Sequence, residues 1–217
     1  IYCTDYRPLI EAHLESGADF TVALKRMPYD PHYGYARLGA DGRITDYVEK
    51  PTTPRDDPAS LTIYLIRTRA LREVFDSERG RRGELLEFGK DVIPFMLERY
   101  DVRGFLYEDY WAYTRTIPMY FGAHRDLLAG RIDLDGWGVR TNLQDTLVAS
   151  QPPARFGPHA EVSGSLVSTG CEIDGEVLGS ILSPGVRVER GARVVDSILC
   201  HNTVVRAGAA VCRTISD

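Results

Sequence analysis

Several things are missing from this 217-residue chain. There is no Cys-x-x-Cys pair and no surplus of basic residues. Nor is there an apolar run near the ~20 residues that a helix needs to span a bilayer. The four cysteines, Cys3, Cys171, Cys200 and Cys212, stand singly among apolar neighbours. That pattern suits buried reduced thiols better than a zinc site or a disulfide framework. With 26 basic against 31 acidic residues and a net charge of −5, no global field draws the chain to nucleic acid or to an anionic membrane. The amino end lacks the basic-then-apolar pattern of a secretory signal, so a cytoplasmic location is the default. The opening "IYCTDY" reads as a chain that starts in mid-structure, and the expectation is a fragment.

What is present suits a folded protein, 43% hydrophobic and 26% charged, long enough for one sizeable core or two modest ones. Up to about residue 130, short β-rich runs alternate with helical periodicity, as in α/β domains. "YRPLIEAHLESGA" predicts a helix with Thr4 or Asp5 as cap, Pro8 in the first turn, apolar Leu9, Ile10 and Leu14, and Gly17 as the stop. "FTVALK" predicts a strand, and "YGYARLGADGRITDYVEKP" a hairpin around Ala-Asp-Gly. "LTIYLI" has the length and continuity of a buried strand, and Leu71, Val74 and Phe75 follow at helical spacing. In "FGKDVIPFMLERY" Val92, Ile93, Met96 and Leu97 share a face, with Pro94 in the first turn or at a kink. "VRGFLY" returns as a strand. Thr116 then caps a helix whose stripe is Ile117, Tyr120, Phe121, His124, Leu127 and Leu128, with His124 as a partly buried member of it.

After residue 150 the order lies in repetition. "QPPARFGP" reads as a linker. Beyond it "GSLVS", "GSILS", "DSILC" and "RTIS" place their Ser or Thr 15, 17 and 17 residues apart. Val188, Val194, Leu199, Val205 and Val211 recur between them at five or six residues. This period predicts a parallel β-helix of about three coils over roughly 160–217, in which small residues turn the corners; a β-sandwich would show plain alternation instead. The resulting division is 1–150 for the α/β part with its linker and 151–217 for the repeat. The last repeat lacks a polar cap, so the chain is expected to end early there too.

An α/β part followed by such coils narrows the field to sugar nucleotidylyltransferases, hexapeptide acyltransferases and a few relatives. The acyltransferases draw a catalytic histidine from their coils, and His201 is the one histidine well inside them here, read as a corner residue. "YVEKP" sets Glu49 and Lys50 at a strand end, where a carboxylate accepts sugar hydroxyls and an ammonium meets a phosphate. In order, "YVEKP", "ASLTIYLI", "EFGKDVIP", "YW" before a Thr-capped helix, and "LVSTGCEIDG" opening the coils resemble the ADP-glucose pyrophosphorylase (glucose-1-phosphate adenylyltransferase) family, over nearly the whole chain.

That resemblance implies an α/β nucleotidyltransferase domain, Rossmann-like with a mixed sheet, followed by a left-handed parallel β-helix. It implies transfer of an adenylyl group from ATP to α-D-glucose 1-phosphate with Mg²⁺, giving ADP-glucose and pyrophosphate for glycogen synthesis. It also implies a homo- or heterotetramer under metabolite control. By position, Gly34 matches a glycine near the glucose phosphate, Glu49 and Lys50 match sugar and phosphate contacts, and Ser60 matches the serine of Ser-Met-Gly-Ile-Tyr. Glu87 and Phe88 match Asp-Phe of Asp-Phe-Gly-Lys-Asp, and Trp111 matches a tryptophan that walls the sugar. Each has a structural alternative: turn chemistry for Gly34, a strand hydroxyl for Ser60, core packing for Phe88 and Trp111. No catalytic residue is assigned within the chain.

Three departures stand out. Tyr113 occupies the place of a family aspartate that holds Mg²⁺, and a phenol is a poor ligand for a hard cation. Arg115 replaces a glycine, and Thr62 replaces the glycine of Ser-Met-Gly. The family's Gly-rich nucleotide loop, the arginine after it and a first metal aspartate are also absent from these residues. Two readings stay open, an active adenylyltransferase and a catalytically impaired regulatory subunit of the same assembly.

Overall fold

The computed structural model describes residues 4–136, 138, 144 and 146–216. They fall into two units, Thr4–Asp109 and the chain from Tyr110 onward.

The first unit opens with helix α1 (Arg7–Ser16), with Pro8 in its first turn. The Asp5 carboxylate accepts the Arg7 N–H at 2.9 Å. Gly17 stops the helix in the left-handed region, φ 67°, and donates its N–H to the Leu14 carbonyl. Strand β1 (Phe20–Lys25) follows, then the hairpin of β2 (Gly34–Leu38) and β3 (Ile44–Glu49), then β4 (Ala59–Ile66). Helices α2 (Thr68–Asp76) and α3 (Glu78–Arg81) lead to a π-helical turn, Phe88–Val92, helix α4 (Ile93–Leu97) and strand β5 (Val102–Leu106).

The strands form one mixed sheet in the order β3-β2-β4-β1-β5. Only the β1–β5 pair is parallel. Phe20, Val22 and Leu24 of β1 bury one face against Val74, Ile93 and Met96 of the helices, each full burial contributing about 1.5–3 kcal/mol.

Pro94 explains the change of helix type. Its ring excludes the carbonyl four residues back and it has no N–H, so the α-ladder cannot run through it. The turn before it closes instead on five-residue bonds, with the Val92 N–H on the Glu87 carbonyl at 3.1 Å, and α4 restarts with Pro94 in its first turn.

In the second unit Thr116 caps α5 (Ile117–Leu128), its hydroxyl accepting the Met119 N–H. Phe121, His124 and Leu128 line a narrow cleft with Ile181 and Ile198. His124 is half-buried, and its ring meets the Tyr120 carbonyl at 2.8 Å, the packing role expected of it. A short helix, α6 (Thr146–Ala149), precedes the repeats.

The repeats build a parallel β-solenoid of four coils, one more than expected. The first coil is β6 (Arg155–Phe156), β7 (Glu161–Ser163) and β8 (Leu166–Val167). The second is β9 (Glu172–Ile173), β10 (Glu176–Leu178) and β11 (Ile181–Leu182). The third is β12 (Arg187–Val188), β13 (Arg193–Val195) and β14 (Ile198–Leu199), and the fourth is β15 (Val204–Val205), β16 (Ala210–Cys212) and β17 (Ile215–Ser216). The extra coil begins inside the stretch read as a linker, because a two-residue strand carries no periodicity to read. Stacking gives three four-stranded parallel sheets, which no β-sandwich has.

The serine spacing has a structural cause. Ser165, Ser180, Ser197 and Thr214 form a ladder. The Ser180 hydroxyl donates to the Leu178 carbonyl at 2.8 Å and accepts the Ser197 N–H at 3.0 Å. Ser197 repeats this with the Val195 carbonyl and the Thr214 N–H. A buried hydroxyl thus satisfies one acceptor in its own coil and one donor in the next. The residue just ahead of each rung, Gly164, Gly179, Asp196 or Arg213, turns the corner at a φ between 46° and 55°.

The expectation that the cysteines are buried holds for Cys171, whose thiol is pushed up by burial. It fails for Cys200, half-buried in a turn, and for Cys212, exposed; in β16 the inward position belongs to Val211, which turns its neighbours out. Cys3 lies outside the described residues.

Candidate functional site

The end of β3 gathers most of the matched residues. Gly34 pairs directly with Glu49 across the hairpin. Tyr47, two residues before Glu49 and therefore on the same face of the strand, is buried and donates its hydroxyl to Glu49 Oε2 at 3.0 Å. Lys50 Nζ approaches Glu49 Oε1 at 3.7 Å. The carboxylate is engaged on both oxygens, which fixes its orientation.

Two glycines make room for this. A Cβ at Gly34 would overlap the Tyr47 hydroxyl and the Glu49 carboxylate, and a Cβ at Gly89 would overlap the same carboxylate. Lys50 itself sits at φ 47° and donates its backbone N–H to the Tyr33 carbonyl. The loop beyond Pro51 is tied down, with Arg55 bridging Asp46 and Asp57 at 2.6 Å each and Tyr29 donating to the Pro51 carbonyl at 2.6 Å.

Beside Glu49 lies an aromatic floor. Tyr64 stacks on Phe88 with ring centroids 5.3 Å apart and meets Phe20 edge-on. Burial pushes the Tyr47 and Tyr64 phenols up, with Glu49 adding to the effect on both, so both stay protonated donors. Ser60 is 2% exposed. Its hydroxyl lies beside both phenols without reaching hydrogen-bond geometry, and has no partner among the described residues.

Glu87 is exposed and engages through its backbone, which opens the π-helical turn. Its N–H and that of Leu86 donate to Asp91, and the Glu87 N–H foremost holds the Asp91 carboxyl below the usual carboxylate range. Trp111 and Tyr113 belong to the second unit, where their rings stack 5.8 Å apart at 8°. Arg115 is exposed in the same segment.

Sequence reasoning passed over Tyr47, Gly89 and Asp91. The period of two along β3 was the signal for Tyr47, and Gly89 and Asp91 stood inside a quoted motif. Chemically the cluster offers hydrogen bonds and one positive charge. An oriented carboxylate, an ammonium, an unpartnered hydroxyl and aromatic faces suit a polyol that bears an anionic group. Among the described residues no three of His, Cys, Asp and Glu gather as metal ligands. No helix among them is long and apolar enough to cross a membrane.

Comparison with known proteins agrees with the architecture. Residues 1–130 match the family model described as nucleotidyl transferase, and residues 152–217 match the GlmU-like C-terminal hexapeptide model. The chain is similar to proteins named glucose-1-phosphate adenylyltransferase. The one from Clostridioides difficile is 32% identical over 212 residues, covering 94% of this chain and 54% of the relative. The one from Desulforamulus reducens is 32% identical over 219 residues, 99% of this chain and 54% of the relative. The one from Bacillus anthracis is 30% identical over 222 residues, 99% and 58%. The chain therefore spans a little over half the length of these curated relatives.

Proposed function

The chain belongs to the nucleotidyl transferase family, and on that premise we propose that the protein carrying it transfers the adenylyl group of ATP to α-D-glucose 1-phosphate. The products are ADP-glucose, for glycogen synthesis, and pyrophosphate. Within this chain Glu49 accepts hydroxyls of the glucose ring, Lys50 meets its phosphate, Gly34 and Gly89 leave space for both, and Ser60 supplies a hydroxyl to the bound sugar. Glu87 and Phe88 border the site. The observation that carries the reading is the Glu49 carboxylate, held on both oxygens between two glycines beside an unpartnered buried hydroxyl.

Mg²⁺ accompanies the proposed reaction on the strength of family likeness. Tetrameric assembly, metabolite control and a cytoplasmic location accompany the proposal on the strength of family likeness.

The test is titration calorimetry with glucose 1-phosphate, glucose and inorganic phosphate. Glucose 1-phosphate should bind more tightly than either part. Losing a charged partner costs about 1.5–3 kcal/mol, so Glu49→Gln and Lys50→Ala should each weaken binding by tenfold or more. Equal affinity for all three ligands, or indifference to both substitutions, would refute the site. With Mg²⁺ and ATP added to the full-length protein, binding without turnover would favour the impaired regulatory subunit.

A further inference from the structure

The solenoid is uneven at one corner. Arg155, Glu172, Arg187 and Val204 stack in register, so successive coils advance by 17, 15 and 17 residues. The missing two residues fall at the corner after β9, which Asp174 and Gly175 turn alone, whereas Gly157–Ala160 and Glu189–Ala192 give four residues to the corners of the coils on either side. The short corner leaves a notch. A Cβ on Gly175 would overlap the Ala192 carbonyl, so the second coil is drawn as far inward as its neighbour permits. Two grooves open from the notch, one of about 410 Å³ and one of about 450 Å³, and Arg190 borders both.

The charges in the first groove are unequally used. Its three carboxylates are all engaged: Glu172 with Arg187 at 3.1 Å, Asp174 with the His159 N–H at 3.0 Å, and Glu189 with Arg206 at 3.0 Å and the Ala207 N–H at 2.8 Å. Among its guanidiniums, Arg155 reaches only Glu172, already taken, at 3.9 Å. The Arg190 side chain has no hydrogen-bond or ion-pair partner among the described residues. Two guanidiniums thus face a recess with most of their donors unused, and a planar fork of N–H groups matches the oxygens of a phosphate.

We propose that this groove binds a phosphate-class anion, with Arg190 and Arg155 as its grips and Arg187 as the third side. The site lies in the solenoid, and the inference does not rest on the function proposed for the Glu49 cluster. Its origin is the two-residue shortening of the second coil, since a four-residue corner there would fill the recess.

Inorganic phosphate and pyrophosphate, titrated at low ionic strength while the arginine side-chain N–H resonances are followed by NMR, test it. Titrations in the Lys50→Ala background remove the phosphate contact proposed at the other cluster. Saturable shifts confined to Arg155, Arg187 and Arg190 are expected. Arg190→Ala should weaken binding about tenfold, the loss of one charge-assisted contact. Arg190→Lys should recover only part, because the fork is lost, and Arg193→Ala, whose guanidinium is paired with Glu176 at 2.5 Å, should change nothing. Inserting two glycines between Asp174 and Gly175 should abolish binding while the four-coil β signature in circular dichroism remains. Non-saturable shifts, equal weakening by Arg193→Ala, or undiminished binding in Arg190→Ala would overturn the proposal. So would shifts in these resonances that follow protein concentration and not phosphate, which would assign the groove to a second copy of the chain.

Discussion

Thr62 stands in β4 at φ 58°, a left-handed conformation that β-branched residues avoid. The pairing of β1 with β4 slips there. Val22 faces Tyr64 but Leu24 faces Ser60, so three residues of β4 oppose one of β1 and the chain bulges through Thr62. Holding a side chain in the left-handed region costs about 1–3 kcal/mol. Glycine would remove that cost but give back about 0.5–1 kcal/mol through the greater freedom of the unfolded chain. The Thr62 side chain is exposed, and its one bond runs to the carbonyl of Leu61, so little packing is lost. Thr62→Gly should therefore stabilise the first unit by about 1 kcal/mol, which for a unit of this size raises its melting temperature by about 4–8 °C. Calorimetry on the full chain reads it, with Thr62→Ala as the control, since alanine keeps the Cβ and should recover less than half of the gain. A Thr62→Gly protein no more stable than wild type, or an alanine variant equal to it, would mean that the bulge carries no such strain.

Other expectations follow from the same geometry. Gly89→Ala presses a methyl on the Glu49 carboxylate and drives it off the Tyr47 hydroxyl, so stability should fall by about 1 kcal/mol while glucose 1-phosphate affinity falls severalfold; unchanged affinity in calorimetry would count against Glu49 as a ligand. Ser180→Ala strips the hydroxyl ladder of a rung and leaves the buried Ser197 N–H without its acceptor, while the Leu178 carbonyl keeps the Asp196 N–H, costing about 1–3 kcal/mol in urea unfolding, more than the same change at exposed Ser163. His13, buried on α1 with its ring nitrogen 2.8 Å from the Thr21 hydroxyl, is pushed below the ordinary imidazole range by burial and then by Arg67. The unfolded chain takes up a proton as pH falls past about 6.5 while the folded one does not. The stability tied to His13 is thus whole above that pH and lost below it, and His13→Gln should flatten the decline of the urea midpoint between about pH 7 and 5; an equally steep decline would refute it.

Much of the fold was legible because the signals were local. Gly17, Thr116 and the Ala-Asp-Gly turn each act within a few residues of themselves, and each stands where the pattern put it. The π-helical turn was not legible. Proline forbids continuation of an α-ladder behind it, but nothing in the residue types says whether the chain answers with a kink or a five-residue bond. β6 was missed because two residues cannot show a period, and Cys212 was misplaced because apolar neighbours in sequence do not fix which way a strand residue points. At the site, Glu49 and Lys50 were found by resemblance, whereas Tyr47 followed from strand periodicity and was overlooked. Ser60 shows the limit of both routes. A match in sequence marks the position, but that its hydroxyl is buried and lacks a partner among the described residues depends on how β1 and β3 meet β4 around it.

The repeat spacing bears on a different question, why an irregular coil persists in a regular stack. The hydroxyl ladder and the apolar interior constrain every coil at the same points, since Ile173, Val177 and Leu182 of the short coil are as buried as Val188, Val194 and Leu199 of the next. A two-residue deletion is tolerated only at a corner, outside that framework. Between β9 and β10 it removes no inward residue and breaks no rung, and its structural consequence is the notch. Length variation in a solenoid is thus driven to the corners by packing, and there it exposes backbone and side chains that the sheets would otherwise cover. Arg190, without a side-chain partner among the described residues and at the lip of two grooves, is a residue that a full-length second coil would have faced.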